Sequence, residues 1–184
     1  MKLFSDILQF FGVRRYAADE RGVSLIESAI LFPILFSMLM AVYDLGQGIV
    51  VNQKTVAASQ VIADLVSRSE VVTIDLINDI VISGELALEP YDTTPLGYDV
   101  VSVEFDEYGD PVILWRVTEN MVENESAVNS TVGLGEEGDG VIVVSVVYAY
   151  EPFFSNFIVD SFNMTEVAFL RGRKSATVTC SDCP

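Results

Sequence analysis

Residues 23–43 read VSLIESAILFPILFSMLMAVY, 21 residues that hold a single charge, Glu27. At about 1.5 Å per residue such a run makes roughly 32 Å of helix, the thickness of a bilayer's hydrocarbon core. It predicts a transmembrane helix, and the rest of the chain must lie on one side of the membrane or the other. Pro33 falls inside the run, where membrane helices tolerate a kink. A secretory signal peptide also begins with basic residues ahead of an apolar stretch, but its apolar region spans about 7–15 residues and ends at a small-x-small site. No Ala-x-Ala follows Tyr43. Arg14, Arg15 and Arg21 precede the run and only Lys54 follows closely. The positive-inside rule therefore puts residues 1–22 in the cytoplasm and the remainder outside it.

With 184 residues, the chain has room for one soluble domain beside the membrane helix. The net charge is −17, and residues 1–22 contribute nothing to the acidic excess, with Lys2, Arg14, Arg15 and Arg21 against Asp6, Asp19 and Glu20. An acidic exterior of this kind excludes nucleic acid, whose binding requires Lys and Arg against phosphates. It also disfavours peripheral docking on anionic lipid. The absence of histidine removes the usual general base and the commonest transition-metal ligand. No residue is assigned a catalytic role on these grounds, and no metal or cofactor is implied.

The cysteines are Cys180 and Cys183, in a Cys-Ser-Asp-Cys run near the C-terminus. A redox pair normally has a helix N-terminus to lower a thiol pKa, and no helix follows this one. A short-loop disulfide formed in an oxidising compartment is the preferred reading. Two acidic runs, Asp106, Glu107 and Asp110 and then Glu136, Glu137 and Asp139, invite a calcium hypothesis. Neither has the spacing of an EF-hand loop, and acidic turn residues are commonly just solvated.

The junction Glu20-Arg21-Gly22-Val23-Ser24-Leu25-Ile26-Glu27 resembles the processing site of type IV pilin-like proteins. In that family a prepilin peptidase cuts after a Gly on the cytoplasmic face, leaving an apolar first residue and a Glu at the fifth mature position. Here the resemblance implies a cut between Gly22 and Val23 and a mature chain with Glu27 fifth. A carboxylate one turn inside an apolar helix is costly without a positive partner. The resemblance implies that this partner is the new N-terminal amine of a neighbouring subunit. The longer stretch from Arg21 through Pro33 to Asp44-Leu45-Gly46 is similar to the TadE-like pattern. It is strongest over about residues 20–68 and continues as a general layout, with Tyr148-Ala-Tyr150-Glu-Pro152 and Arg171-Gly-Arg173. The bland alternative is a Gly that merely precedes a membrane helix and a Glu27 resting among headgroups.

Beyond the run, Ala57, Ala58, Val61, Ile62 and Leu65 share a helical face, with Asn52, Ser59, Asp64 and Arg68 elsewhere. This predicts an amphipathic helical continuation over residues 49–68 whose stripe is core. Residues 74–82 predict a short helix with Thr73 as N-cap. Residues 98–105 alternate with Val101, Val103 and Phe105 on one face, and residues 112–117 with Ile113, Trp115 and Val117. The turn chemistry of residues 106–111 joins these two runs as a β-hairpin. Residues 141–150 scarcely alternate and predict a strand buried on both faces, and residues 165–170 predict the last strand. The expected fold is α+β: a transmembrane helix extended into an extracytoplasmic head with an antiparallel sheet of about four strands.

The expected division is a cytoplasmic leader over 1–22, the membrane helix over 23–43, its amphipathic extension over 44–68 and the head over 69–184. The resemblance implies a structural pseudopilin or minor pilin of a tight-adherence pilus, seated in the bacterial inner membrane with its head periplasmic. Its partners would be the prepilin peptidase, the major pilin, a sister pseudopilin and the inner-membrane assembly platform, and its biology cell adhesion or secretion. Two other readings compete. One is an uncleaved single-pass protein whose head binds an envelope partner; the other is a membrane-tethered thiol oxidoreductase using Cys180 and Cys183.

Overall fold

The structure is a computed structural model that describes residues 20–154 and 161–183; most of the expected leader lies outside that range. Helix α1, Glu20–Ser67, runs through Pro33 and through Gly46 and Gly48. By its contacts the chain forms two compact units, Met1–Leu45 and Gly46–Pro184.

In the first unit the described residues are helical, and the apolar side chains from Val23 to Leu45 are largely exposed, among them Leu25, Phe32 and Leu39. A helix apolar on every side suits a lipid surrounding. Pro33 has no N–H, so the carbonyl of Ala29 loses its ordinary partner. One turn on, the Ser37 hydroxyl donates to the Ile34 carbonyl at 2.9 Å, and Phe32 stacks on Phe36 with centroids 5.9 Å apart.

The second unit is an α+β head. After α1 come β1 (Val71–Val72), α2 (Ile74–Glu85), a 3₁₀ turn (Leu86–Leu88), β2 (Leu96–Phe105), β3 (Pro111–Glu119), α3 (Glu125–Asn129), β4 (Gly140–Tyr150), β5 (Phe162–Arg171) and β6 (Thr179–Cys180). Four strands form an antiparallel sheet in the order β3-β2-β4-β5, and β1 pairs with β6 in parallel. Helix α2 starts where the sequence predicts: the Thr73 hydroxyl accepts from the Leu76 amide at 3.1 Å. It continues to Glu85, three residues past the expected end. In the β2–β3 turn, Asp106 Oδ1 accepts from the amides of Tyr108 and Asp110, both at 2.9 Å, and Gly109 takes the positive φ of 78° that closes the hairpin.

Register divides the sheet into two buried faces. Val100 opposes Val144, which opposes Ala168, on one side. There Leu96, Tyr98, Ile142, Val146 and Tyr148 share a core cluster with Val51, Ala58, Ile62 and Val66 of α1 and Ile77, Ile80 and Val81 of α2. On the other side Val101, Val103, Phe105, Val141 and Val143 pack with Ala127 and Val128 of α3. Thus β4 is covered on both faces, as its unbroken Val run demands.

Three expectations need correction. The buried face of α1 is Val51, Thr55, Ala58, Ser59, Ile62, Ala63 and Val66, a stripe rotated from the expected one, with Ala57, Val61 and Leu65 only half-buried on its flank. Small hydroxyls are accepted inside because each bonds back to its own helix: Thr55 to Val51 O at 3.0 Å and Ser59 to Val56 O at 2.8 Å. In β3 the register steps from Ser102↔Trp115 to Val103↔Ile113, so Leu114 is a bulge. The bulge puts Ile113 on the opposite face from Trp115 and Val117. Finally, β5 runs from Phe162 to Arg171 and is not the last strand, because β6 follows it.

Helices α1 and α2 approach closely at Gly84. A methyl there would lie 2.5 Å from Ile62 Cγ1 and 2.8 Å from Ile62 Cδ1. Gly84→Ala raises helix propensity by about 1 kcal/mol, but overpacking a buried contact costs about 1–3 kcal/mol. Ile62 is fully buried, so the clash prevails. The variant is expected to unfold at lower temperature than the parent in detergent; an unchanged or higher midpoint would show that the two helices part at little cost.

Candidate functional site

Gly22, Val23 and Glu27 lie in the first turns of α1, all three exposed. A Cβ added to Gly22 would meet nothing within 4 Å. Among the described residues, packing therefore does not demand a glycine here. Val23 and Glu27 are four residues apart, one above the other on one helix face. Among the described residues no cation lies within ion-pair distance of Glu27, whose carboxylate sits in a stretch of exposed apolar side chains. In lipid a carboxylate in that position is costly without a counter-charge.

Cys180 and Cys183 are far from this junction in sequence and belong to the head. They are bonded to each other. The tail that carries them is well integrated: the buried Val178 offers its carbonyl to Ser102 Oγ at 2.9 Å and to Trp115 Nε1 at 2.7 Å. Asp182 Oδ1 accepts from the Ile74 amide at 2.9 Å. A helix N-terminus, that of α2, is thus brought to the cysteines from elsewhere in the chain, which a search for a helix after Cys183 misses. Its amides are taken by Asp182 and Thr73, however, and not by a sulfur.

Cys180, Asp182 and Cys183 are also the one close group of metal-type ligand atoms among the described residues, with both sulfurs committed to the bond. The two acidic runs do come together. The Phe105 amide donates to Asp139 O and the Gly138 amide to Phe105 O, both at 3.0 Å. Their carboxylates do not converge on a point, and Asp139 is paired with Arg171 at 3.3 Å.

The most elaborate polar cluster lies on the α3 side of the sheet. Asp99, 1% exposed, accepts two bonds from Arg116 at 2.9 Å, one from Thr118 Oγ1 at 2.7 Å and one from the Asn124 amide at 2.9 Å. Arg116 also reaches Glu123 at 3.2 Å and Glu125. Asn124 caps α3 by accepting from the Ala127 amide and gives its own side-chain amide to Ser145. These bonds run among β2, β3, β4 and the segment leading into α3, so the cluster pins residues 120–124 to the sheet. Burial raises the Asp99 pKa, but the bonds from Arg116, Asn124 and Thr118 outweigh it and hold the carboxyl below the usual range. This pair was missed from sequence; the signal was an acid amid the apolar residues of one predicted strand and an arginine in the strand expected to pair with it.

A cleft between α2 and the sheet is lined by Asn78, Ile82, Glu85, Thr94, Tyr98 and Glu119. Its polar centre is the Tyr98 phenol donating to Glu119 at 2.5 Å. Burial and then Glu119 raise the phenol's pKa, so it serves as a donor and not as a base.

Residues 22–64 match the TadE-like protein family. No curated protein and no solved structure matched the chain. The TadE-like segment begins at Gly22 itself and ends within the part of α1 that packs on the head, so it covers the exposed apolar run and most of the core-facing stripe. The sheet lies beyond it.

The Asp99–Arg116 pair supplies a test of the head that follows the TadE-like segment. Removing one partner of a buried pair costs roughly 3–5 kcal/mol, so Asp99→Asn should lower the unfolding midpoint substantially at neutral pH. A depressed folded pKa gives stability that is complete above the unfolded value of about 3.9 and is lost as pH falls through the folded value. The parent should therefore lose stability on acidification more steeply than the variant below about pH 4. Parallel pH profiles would show that Asp99 contributes no such linkage.

Proposed function

We propose that this TadE-like protein is a minor-pilin-like structural component of a tight-adherence pilus. In this reading it is cut by prepilin peptidase between Gly22 and Val23, held in the inner membrane by residues 23–43, and joined to its assembly through Glu27. The observation that carries the reading is the coincidence at one place of a family match starting at Gly22, an unhindered glycine, and a helix that is apolar on all sides except at Glu27. Residues 1–22 stay cytoplasmic and the head faces the periplasm, as the arginines ahead of the helix favour. The partners are the peptidase, the major pilin, a sister pseudopilin and the assembly platform. No catalytic role is assigned to the head, whose largest polar cluster is spent on holding α3 to the sheet.

Processing is the first test. Gly22→Leu should block the cut while leaving insertion intact, read as retention of the Met1 start by mass spectrometry of membrane-extracted protein. An uncleaved parent chain in cells with active peptidase would return the protein to the plain single-pass class.

Glu27 is the second. Glu27→Gln keeps the shape and removes the charge. If the carboxylate meets an amine of another subunit in a low-dielectric layer, the loss is large. The variant should be cut and inserted normally, yet co-purify poorly with the major pilin and support few pili. Normal association would make Glu27 a bystander among headgroups.

A further inference from the structure

After β5 the chain returns to the α1 side of the sheet, and the first half of that path is firmly held. The Arg173 amide donates to the Ser67 carbonyl at 2.8 Å, and the Arg173 guanidinium pairs with Asp64 of α1. Ala176 passes over the bare backbone of Gly140, where an added Cβ would lie 2.6 Å from the Ala176 carbonyl oxygen. Val178 is 1% exposed, and its carbonyl is the acceptor for two buried donors, Ser102 Oγ and Trp115 Nε1. Pulling Val178 out would leave both donors unpaired in the core, which is costly.

Beyond Val178 the attachments change in kind. The Thr179 amide donates to the Glu70 carbonyl and the Ser181 amide to the Val72 carbonyl, both at 3.1 Å. Asp182 Oδ1 accepts from the Ile74 amide at 2.9 Å. Ile74 is the first residue of α2, so its amide finds no carbonyl within the helix, and the Thr73 hydroxyl is already given to Leu76. All three bonds lie at the surface, because Thr179, Ser181 and Asp182 are exposed. Strands β1 and β6 pair over two residues each, too short a ladder to hold by itself. What closes this stretch is the Cys180–Cys183 disulfide, whose half-buried residues pack against the core cluster and whose ring contains Asp182. Closing the ring fixes the backbone on both sides of Asp182, so little chain entropy is lost when its carboxylate takes the Ile74 amide.

We propose that residues 179–183 are a redox-operated strap: the Cys180–Cys183 disulfide holds them across the junction of β1 and α2, and reduction releases them as far as Val178, which stays in the core. Closure oxidises two thiols to the disulfide and passes two electrons and two protons to the disulfide of an oxidising protein, which leaves as a dithiol. Opening is the reverse, with a dithiol protein as reductant. When open, the strap leaves the Ile74 amide without its cap and the Val71–Val72 edge without its partner strand. The proposal concerns the head alone and holds whether or not the chain is cut after Gly22.

Amide exchange followed by NMR on the full-length protein in detergent reads the strap at three positions, Ile74, Thr179 and Ser181. Dithiothreitol, whose two thiols close into a cyclic disulfide as Cys180 and Cys183 become thiols, should speed exchange at all three by about tenfold or more. The Cys180→Ser/Cys183→Ser variant should exchange as fast without reductant. Val100 and Val144 in the centre of the sheet should keep their protection. Trp115, the chain's single tryptophan and 3% exposed, should stay shielded from iodide. Asp182→Ala should free Ile74 alone, since the disulfide still holds Thr179 and Ser181. A change of less than about twofold on reduction would overturn the proposal, because the strap would then stand without its disulfide. Loss of protection throughout the sheet, or iodide quenching of Trp115, would also overturn it, since the disulfide would then support the whole head. Release of Thr179 and Ser181 by Asp182→Ala would do the same, by assigning the strap to the cap.

Discussion

Burial of Val51, Ala58, Ile62, Ala63 and Val66 of α1 against the sheet is the contact on which the head depends. Each fully buried Val or Ile of this stripe is favourable by roughly 1.5–3 kcal/mol. None of that would be available if the helix beyond the membrane run were polar all round. The same contact fixes where α2 can lie, because Gly84 must present bare backbone to Ile62. It also fixes the sheet's register, since a slip of one residue would turn Val100, Val144 and Ala168 away from the helix and bring Val101 and Val143 onto it. The helix is thus asked to satisfy two surroundings in succession. Apart from Glu27 it carries no charge from Val23 to Tyr43 and shows apolar side chains on every side there, and it offers one narrow stripe of small and β-branched side chains from Val51 onward.

The opposite face of the sheet is held by a different kind of bond. Valines from β2 and β4 cover part of it with α3, but α3 is only five residues long and cannot be held by apolar area alone. The Asp99–Arg116 pair and Asn124 complete the job, and the arrangement leaves no buried side-chain N or O without a partner among the described residues. A buried pair of this kind is weak evidence for net stability against an apolar replacement. Its effect here is on specificity of place, since the Asn124 amide bonded to Asp99 ties the 120–124 segment to β2.

Much of this was legible in the sequence because the signals were periodic or chemically strong. The apolar run, the β2–β3 hairpin with its Asp-x-x-Gly turn, the Thr73 cap and the doubly buried β4 all follow from local rules. The errors have a common cause, which is that local pattern does not report what lies opposite. Ser59 reads as a polar flank until one sees that its hydroxyl is satisfied by Val56 O and so can face the core. Ile113, Trp115 and Val117 read as one face until Leu114 is pushed out as a bulge. The strand β6 consists of Thr179 and Cys180 and exists only because β1 lies alongside it. The Asp99–Arg116 pair crosses from one strand to the next and leaves no periodic trace. The junction at Gly22 is a pattern of residue types that packing does not account for, since a Cβ there would meet nothing within 4 Å in the described chain.

The distribution of charge along the strands is uneven. Glu104, Asp106, Glu107, Asp110, Glu136, Glu137 and Asp139 collect where β2 ends and β4 begins, while Tyr150 and Phe162 mark the other end. Strand β4 has 11 residues, a length of about 33 Å at 3.3 Å per step. Charge repulsion between exposed groups decays over a Debye length of about 8–10 Å at physiological salt. The acidic end therefore acts on the aromatic end across roughly three or more such lengths and exerts little force there. The acidic groups are not confined to that end, however: Asp92 accepts, through its backbone carbonyl, from the Tyr148 hydroxyl and Glu119 from the Tyr98 hydroxyl nearer the other end of the sheet.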